Sequence, residues 1–142
     1  MAPHVYSFTK FPNGVIRPLV NIRIINPSTN QYFLARCLLD TGADKCLFPA
    51  DFALKTGHDL KNDGCENMVA KGLKGVEVTT WLHTFKLELF SEDFKTRIWR
   101  SGDFQIGCLE HNKTPPLLGC IGFLEFMNIR FNYTTKKIVI QV

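Results

Sequence analysis

The sequence predicts an all-β fold with one or two short helices. Three observations lead to it. Apolar residues alternate with polar ones at Val20, Ile22 and Ile24, at Phe85, Leu87 and Leu89, and at Ile129, Phe131 and Tyr133. A period of two turns one face of a strand inward and the other outward. Turn-forming clusters separate these runs: Asn26-Pro27-Ser28-Thr29-Asn30, Asp63-Gly64, Ser91-Glu92-Asp93 and Thr134-Thr135-Lys136-Lys137. Only the stretch from Ala50 to Thr56 and a short turn after Gly119 have a helical look.

Residues 1–18 hold Pro3, Pro12, Gly14 and Pro18 among scattered apolar residues and are expected as an irregular or edge segment. Residues 19–142 are expected as one domain. The strand through Val20, Ile22 and Ile24 should bury one face and expose Asn21 and Arg23. The next strand, Tyr32 to Leu39, pairs with it as a hairpin and delivers Asp40 at its end. Cys46-Leu47-Phe48 is a short return strand. The helix after Pro49 points Phe52, with Leu54 as a further candidate, inward and stops at Gly57. His58 beyond it is read as a solvated surface residue. Met68 to Val78 supplies two strand-like arms around a tip with two glycines, Gly72 and Gly75. Phe85, Leu87 and Leu89 face the core, with Lys86, Glu88 and His83 on the polar or mixed face. Thr96 to Trp99 and Phe104 to Ile106 are short strands, and Trp99 packs either in the core or toward a substrate. Residues 110–116 form a loop. Leu117-Leu118-Gly119 opens the last quarter, and the closing strand carries Ile138, Ile140 and Val142.

At 142 residues the chain fits one domain, and 45% apolar with 12% aromatic residues suffices for a core. A net charge of +4 is scattered; no basic run or basic–aromatic ladder points to nucleic acid. No apolar run reaches the length of a membrane helix. No charged n-region with an apolar h-region opens the chain, so a signal peptide is not expected. The five cysteines, Cys37, Cys46, Cys65, Cys108 and Cys120, are odd in number and lack Cys-x-x-Cys spacing. Reduced thiols in a reducing, cytoplasmic compartment are expected, and a structural zinc site is not. A Cys/His nucleophile pair has no local signature among the four histidines.

The stretch around which the chain is organised is Leu38-Leu39-Asp40-Thr41-Gly42-Ala43-Asp44. Two apolar residues lead into a carboxylate, a hydroxyl, a glycine and a second carboxylate. A carboxylate at the tip of a buried strand is costly unless something donates hydrogen bonds to it. The Gly42 N–H and the Thr41 hydroxyl are the nearby donors, and Gly42 allows a sharp turn. Asp-Thr-Gly alone is also an ordinary turn.

With its flanks, this stretch resembles the active-site loop of retropepsin-like aspartic proteases, single-domain relatives of pepsin and of the retroviral proteases. Two further segments resemble the family in the same order. Gly72-Leu73-Lys74-Gly75 is similar to its glycine-rich flap, though lysines stand among the glycines. Pro116 to Phe126 is similar to the apolar-apolar-Gly strand and helix behind the catalytic loop, in the version of single-domain prokaryotic members. The resemblance spans roughly residues 19–140 and implies a closed β-barrel of the acid-protease type. It implies an aspartic endopeptidase without metal or organic cofactor. One Asp-Thr-Gly per chain then requires a homodimer, with one Asp40 from each subunit sharing a proton. Thr41 would hydrogen-bond across the dimer. Gly42 would bring its N–H to the carboxylate. Ala43, Asp44, Gly72, Leu73, Lys74 and Gly75 would line a peptide or protein substrate bound as an added strand. One departure is Cys120, where many members carry an Arg that pairs with the second Asp of the loop. Arg130, Arg97 or an Arg of the other subunit are candidate partners for Asp44. Two other readings stand beside the protease: a non-catalytic peptide-binding or dimerisation module on the same fold, and an unrelated all-β structural domain with Asp40 as a turn residue.

Overall fold

The computed structural model describes residues 2–71 and 76–142. In chain order its elements begin with β1 (His4–Ser7), β2 (Thr9–Lys10), β3 (Ile16–Arg17), β4 (Leu19–Ile25), β5 (Tyr32–Leu39), β6 (Leu47–Phe48) and the helix α1 (Ala50–Lys55). They continue with β7 (Cys65–Lys71), β8 (Val76–Phe90), β9 (Arg97–Arg100), β10 (Phe104–Cys108), β11 (Leu117–Leu118), β12 (Asn128–Asn132) and β13 (Lys137–Gln141). A 3-10 turn, Leu124–Phe126, follows β11. The fold is mostly β with one short helix, as the alternation predicts.

The main sheet runs β10-β6-β11-β5-β4-β8-β7. β10 also pairs with β8, so the pairings from β10 round to β8 close into a ring. β4 and β5 form the expected antiparallel hairpin, from Leu19 opposite Leu38 to Ile25 opposite Tyr32. Its turn is fixed by Asn26: Oδ1 accepts the Ser28 N–H at 3.0 Å, and Nδ2 donates to Thr56 O at 2.9 Å. That second bond ties the hairpin to the end of α1. β8 is long enough to pair with β7, β10, β4 and β9 along its fifteen residues.

The core gathers Val20, Ile22, Ile24, Phe48, Phe85, Leu87, Leu89, Ile106, Leu118 and Phe123, and it extends to Tyr6, Ile138 and Ile140. The first eighteen residues are therefore less irregular than expected. β1 is the edge strand of a second sheet, β1-β13-β12, and buries Tyr6, whose hydroxyl donates to Phe90 O at 2.6 Å.

Several expectations need correction, among them His83, which is buried, and His58, which is partly buried against His83 and Phe85. β4 is buried on both faces: Asn21 is inward because its Nδ2 donates to Ser91 O and Glu92 O. Glu88 is buried rather than solvated, held by Arg23 Nε at 2.5 Å and Arg97 Nη1 at 3.0 Å. In α1 the inward residues are Ala50, Phe52 and Ala53, whereas Leu54 is exposed. The helix does end at Gly57. Its φ is +83°, its N–H donates to Leu54 O, and the His58 N–H reaches back to Ala53 O at 2.9 Å. Trp99 turns toward Phe123, with ring centroids 5.3 Å apart, and so packs on the core.

Candidate active site

Asp40 emerges where β5 ends, and its position is set from behind by β11. Leu117 and Leu118 run parallel to Leu38 and Leu39, and Leu117 also lies opposite Leu47 of β6. The short apolar strand thus fills the gap between the two strands that flank the loop. The Leu38 N–H donates to Pro116 O at 2.8 Å and the Asp40 N–H to Leu118 O at 3.0 Å. Apolar side chains at 117 and 118 suit that place, since Leu118 is fully buried.

Asp40 is half-buried, and Thr41, Gly42 and Asp44 are exposed. The Gly42 N–H donates to Asp40 Oδ1 at 3.0 Å, the bond the sequence suggests. The Ala43 N–H donates back to Asp40 O at 3.2 Å, closing the turn. Gly42 has no positive φ, and a Cβ there would meet only Asp40 Oδ1, at 3.4 Å. The turn itself therefore does not demand glycine. Among the described residues nothing bonds the Thr41 hydroxyl, and Asp44 has no ion-pair partner; of the candidates, Arg97 is engaged by Glu88.

The far side of the loop is clamped by residues 119–121. The Cys120 N–H donates to Ala43 O at 3.0 Å, the Ile121 N–H donates to Asp44 O at 2.8 Å, and Lys45 bridges to Ile121. Gly119 is required here. A Cβ would come within 2.4 Å of Lys45 O and 2.8 Å of Ala43 O, and backbone cannot step aside cheaply. This gives the apolar-apolar-Gly pattern its physical reason.

Two cysteines belong to the same clamp, and the sequence did not mark them. Cys46 Sγ accepts the Gly119 N–H at 3.4 Å, and Cys120 Sγ donates to Thr41 O at 3.8 Å. Burial pushes the Cys46 thiol up to about 11, against a smaller opposing effect of the Gly119 N–H. Cys37 and Cys108 are likewise pushed up by burial. These three thiols are packing residues rather than nucleophiles.

The arms of the predicted flap are present as β7 and β8, antiparallel from Cys65 opposite Leu82 to Lys71 opposite Val76. Its tip, Gly72, Leu73, Lys74 and Gly75, lies outside the described residues.

No family model and no curated protein sequence matches the chain. Among solved structures it is similar to a retropepsin-like aspartic protease from Rickettsia conorii, with a TM-score of 0.54. The match covers 98% of this chain and 91% of that one, at 14% sequence identity. At that identity the likeness is one of fold, and the fold of this chain is retropepsin-like. No helix among the described residues is long and apolar enough to cross a membrane.

Proposed function

We propose that the chain is an aspartic endopeptidase that acts as a symmetric homodimer, with one Asp40 from each subunit at the two-fold axis. The observation that carries this reading is the clamped loop: Asp40 at the end of β5, Oδ1 on the Gly42 N–H at 3.0 Å, backed by β11. Two carboxylates brought to about 3 Å cannot both ionise, so they share one proton. One takes a proton from a water that attacks the scissile carbonyl carbon; the other gives its proton to the carbonyl oxygen. The two titrate as a pair. The solvent-facing Thr41 would donate its hydroxyl across the dimer, and Gly42 would leave room for the substrate backbone. Ala43, Asp44 and the 72–75 tip would flank an extended peptide.

Cleavage of a diverse peptide mixture over roughly pH 3–7 tests this, comparing wild type with Asp40→Asn by mass spectrometry. Cutting by the wild type alone, with an acid optimum, is the expected result. Equal cutting by both proteins overturns the assignment of Asp40.

A second reading has one observation in its favour. Cys120 occupies the place where the family's Arg would meet the second Asp of the loop, and Asp44 has no ion-pair partner among the described residues. A dimer that binds peptides and cuts none of them would make the chain a binding module on this fold.

A further inference from the structure

Away from the Asp40 loop, His58, Asp63 and His83 converge beneath the base of the β7–β8 hairpin. One ligand atom from each lies within 4.8 Å of the other two. His83 is buried, its side chain only 1% exposed, while Asp63 is half open to solvent. His58 lies just past α1, its ring centroid 4.5 Å from that of His83.

The second atom of each side chain is already held. His58 Nε2 lies 3.0 Å from Thr84 O, and His83 Nε2 lies 2.9 Å from Leu60 O. A carbonyl oxygen only accepts, so both Nε2 atoms carry the proton. Each ring, when neutral, therefore presents Nδ1 as a bare lone pair. Asp63 Oδ2 accepts the Asp59 N–H at 3.0 Å, which leaves Oδ1. His83 Nδ1 and Asp63 Oδ1 face each other at 3.2 Å. Two acceptors at that distance repel unless a proton or a cation lies between them. A proton on His83 would serve that pair alone; a metal ion serves all three residues.

We infer that His58 Nδ1, His83 Nδ1 and Asp63 Oδ1 form a binding site for a divalent transition metal of the Zn2+ class. His83 Nδ1 and Asp63 Oδ1 already stand near the roughly 3.3 Å that two ligands at about 2.0–2.1 Å make at a tetrahedral ion, whereas His58, with the three donors within 4.8 Å of one another, would close in on the ion by a rotation of its ring. Imidazole nitrogens with one carboxylate suit Zn2+ rather than Mg2+ or Ca2+. Backbone carbonyls on the far nitrogens are the usual second shell of a histidine ligand, fixing tautomer and ring plane. Gly64 packs against the supporting bond behind His83: a Cβ there would come within 2.6 Å of both His83 Nε2 and Leu60 O. A bound ion would pin the exit of α1 and the 59–64 loop to β8, stiffening the base from which the hairpin projects.

The test is Zn2+ titration of the metal-stripped full chain by calorimetry, with Co2+ as a visible-absorption probe. One Zn2+ per chain is expected, with Co2+ bands of low-coordinate nitrogen–oxygen ligation and no thiolate charge-transfer band. His58→Gln and Asp63→Asn each weaken binding by about tenfold or more, at least the loss that second-shell changes produce. Cys65→Ser leaves it unchanged. Circular dichroism checks that each variant folds, and if one does not, the Co2+ spectrum of the unsubstituted chain decides. Absence of one-to-one binding overturns the proposal and leaves a protonated His83 paired with Asp63. So does binding that survives both substitutions, or a thiolate or six-coordinate Co2+ spectrum.

Discussion

Asp40 is the residue on which the proposed chemistry turns, and its neighbours hold its position without depending on its charge. The Gly42 N–H bonds a carboxamide oxygen as well as a carboxylate oxygen, so Asp40→Asn should change stability by no more than about 0.5 kcal/mol. Peptide cleavage should fall by about 10²–10⁴-fold or more, because the variant neither accepts nor supplies the shared proton. Denaturant melts alongside single-turnover cleavage separate the two effects. Gly119 is the opposite case: remote from the reacting atoms yet sterically indispensable. Gly119→Ala should cost about 1–3 kcal/mol, read from the urea midpoint, because its Cβ would strike Lys45 O and Ala43 O. Histidine 83 was misplaced by its chemistry and could have been placed by its parity. It shares the odd positions of Phe85, Leu87 and Leu89, the face that is fully buried. Glu88 gave no such warning: two arginines distant in sequence compensate its burial, and no local pattern encodes them.

Short elements here depend on their ends more than on their length. A helix of six residues has little stability of its own, so α1 relies on Phe52 against Phe33 and Phe48 and on its glycine stop. Gly57→Ala should cost about 1–2 kcal/mol in thermal or urea unfolding, the penalty of a left-handed φ for a residue with a side chain. The glycine stop was legible in sequence because only the local backbone is involved. The exposure of Leu54 was not, because the side of a six-residue helix that meets the sheet is set by where β5 and β6 lie. β11 is shorter still at two residues, and it is stabilised by its place between β5 and β6.

Across the whole molecule, one Asp-Thr-Gly per chain makes the proposed activity a property of the proposed dimer. Specific cleavage activity should fall on dilution in step with dimer dissociation measured by analytical ultracentrifugation. Mixing wild type with excess Asp40→Asn should suppress cutting, since mixed dimers hold one carboxylate. The buried thiols make a separate prediction. The folded chain keeps Cys46 protonated up to about 11 and Cys108 up to about 12, above their ordinary 9.0. The folded state therefore holds protons that the unfolded state releases. The stability is fully present below pH 9 and is lost as pH rises toward 11 and beyond. Melting temperatures between pH 7 and 11 should decline from about pH 9, and Cys46→Ala should flatten the first part of that decline. At pH 8, a thiol reagent should modify the exposed Cys65 well before these buried ones.

The sequence by itself determined the alternating strands, the turns, the glycine that ends α1 and the residues of the Asp40 loop. Each of these depends on neighbours within a few positions, through side-chain period, backbone φ or the reach of one N–H. Tertiary structure alone decided what backs the loop, why Gly119 has no room for a side chain, and how Glu88 is compensated. It alone brought His58, Asp63 and His83 together. Those are contacts between segments far apart in the chain, and a strand's own pattern says which side faces inward but not what it will meet there.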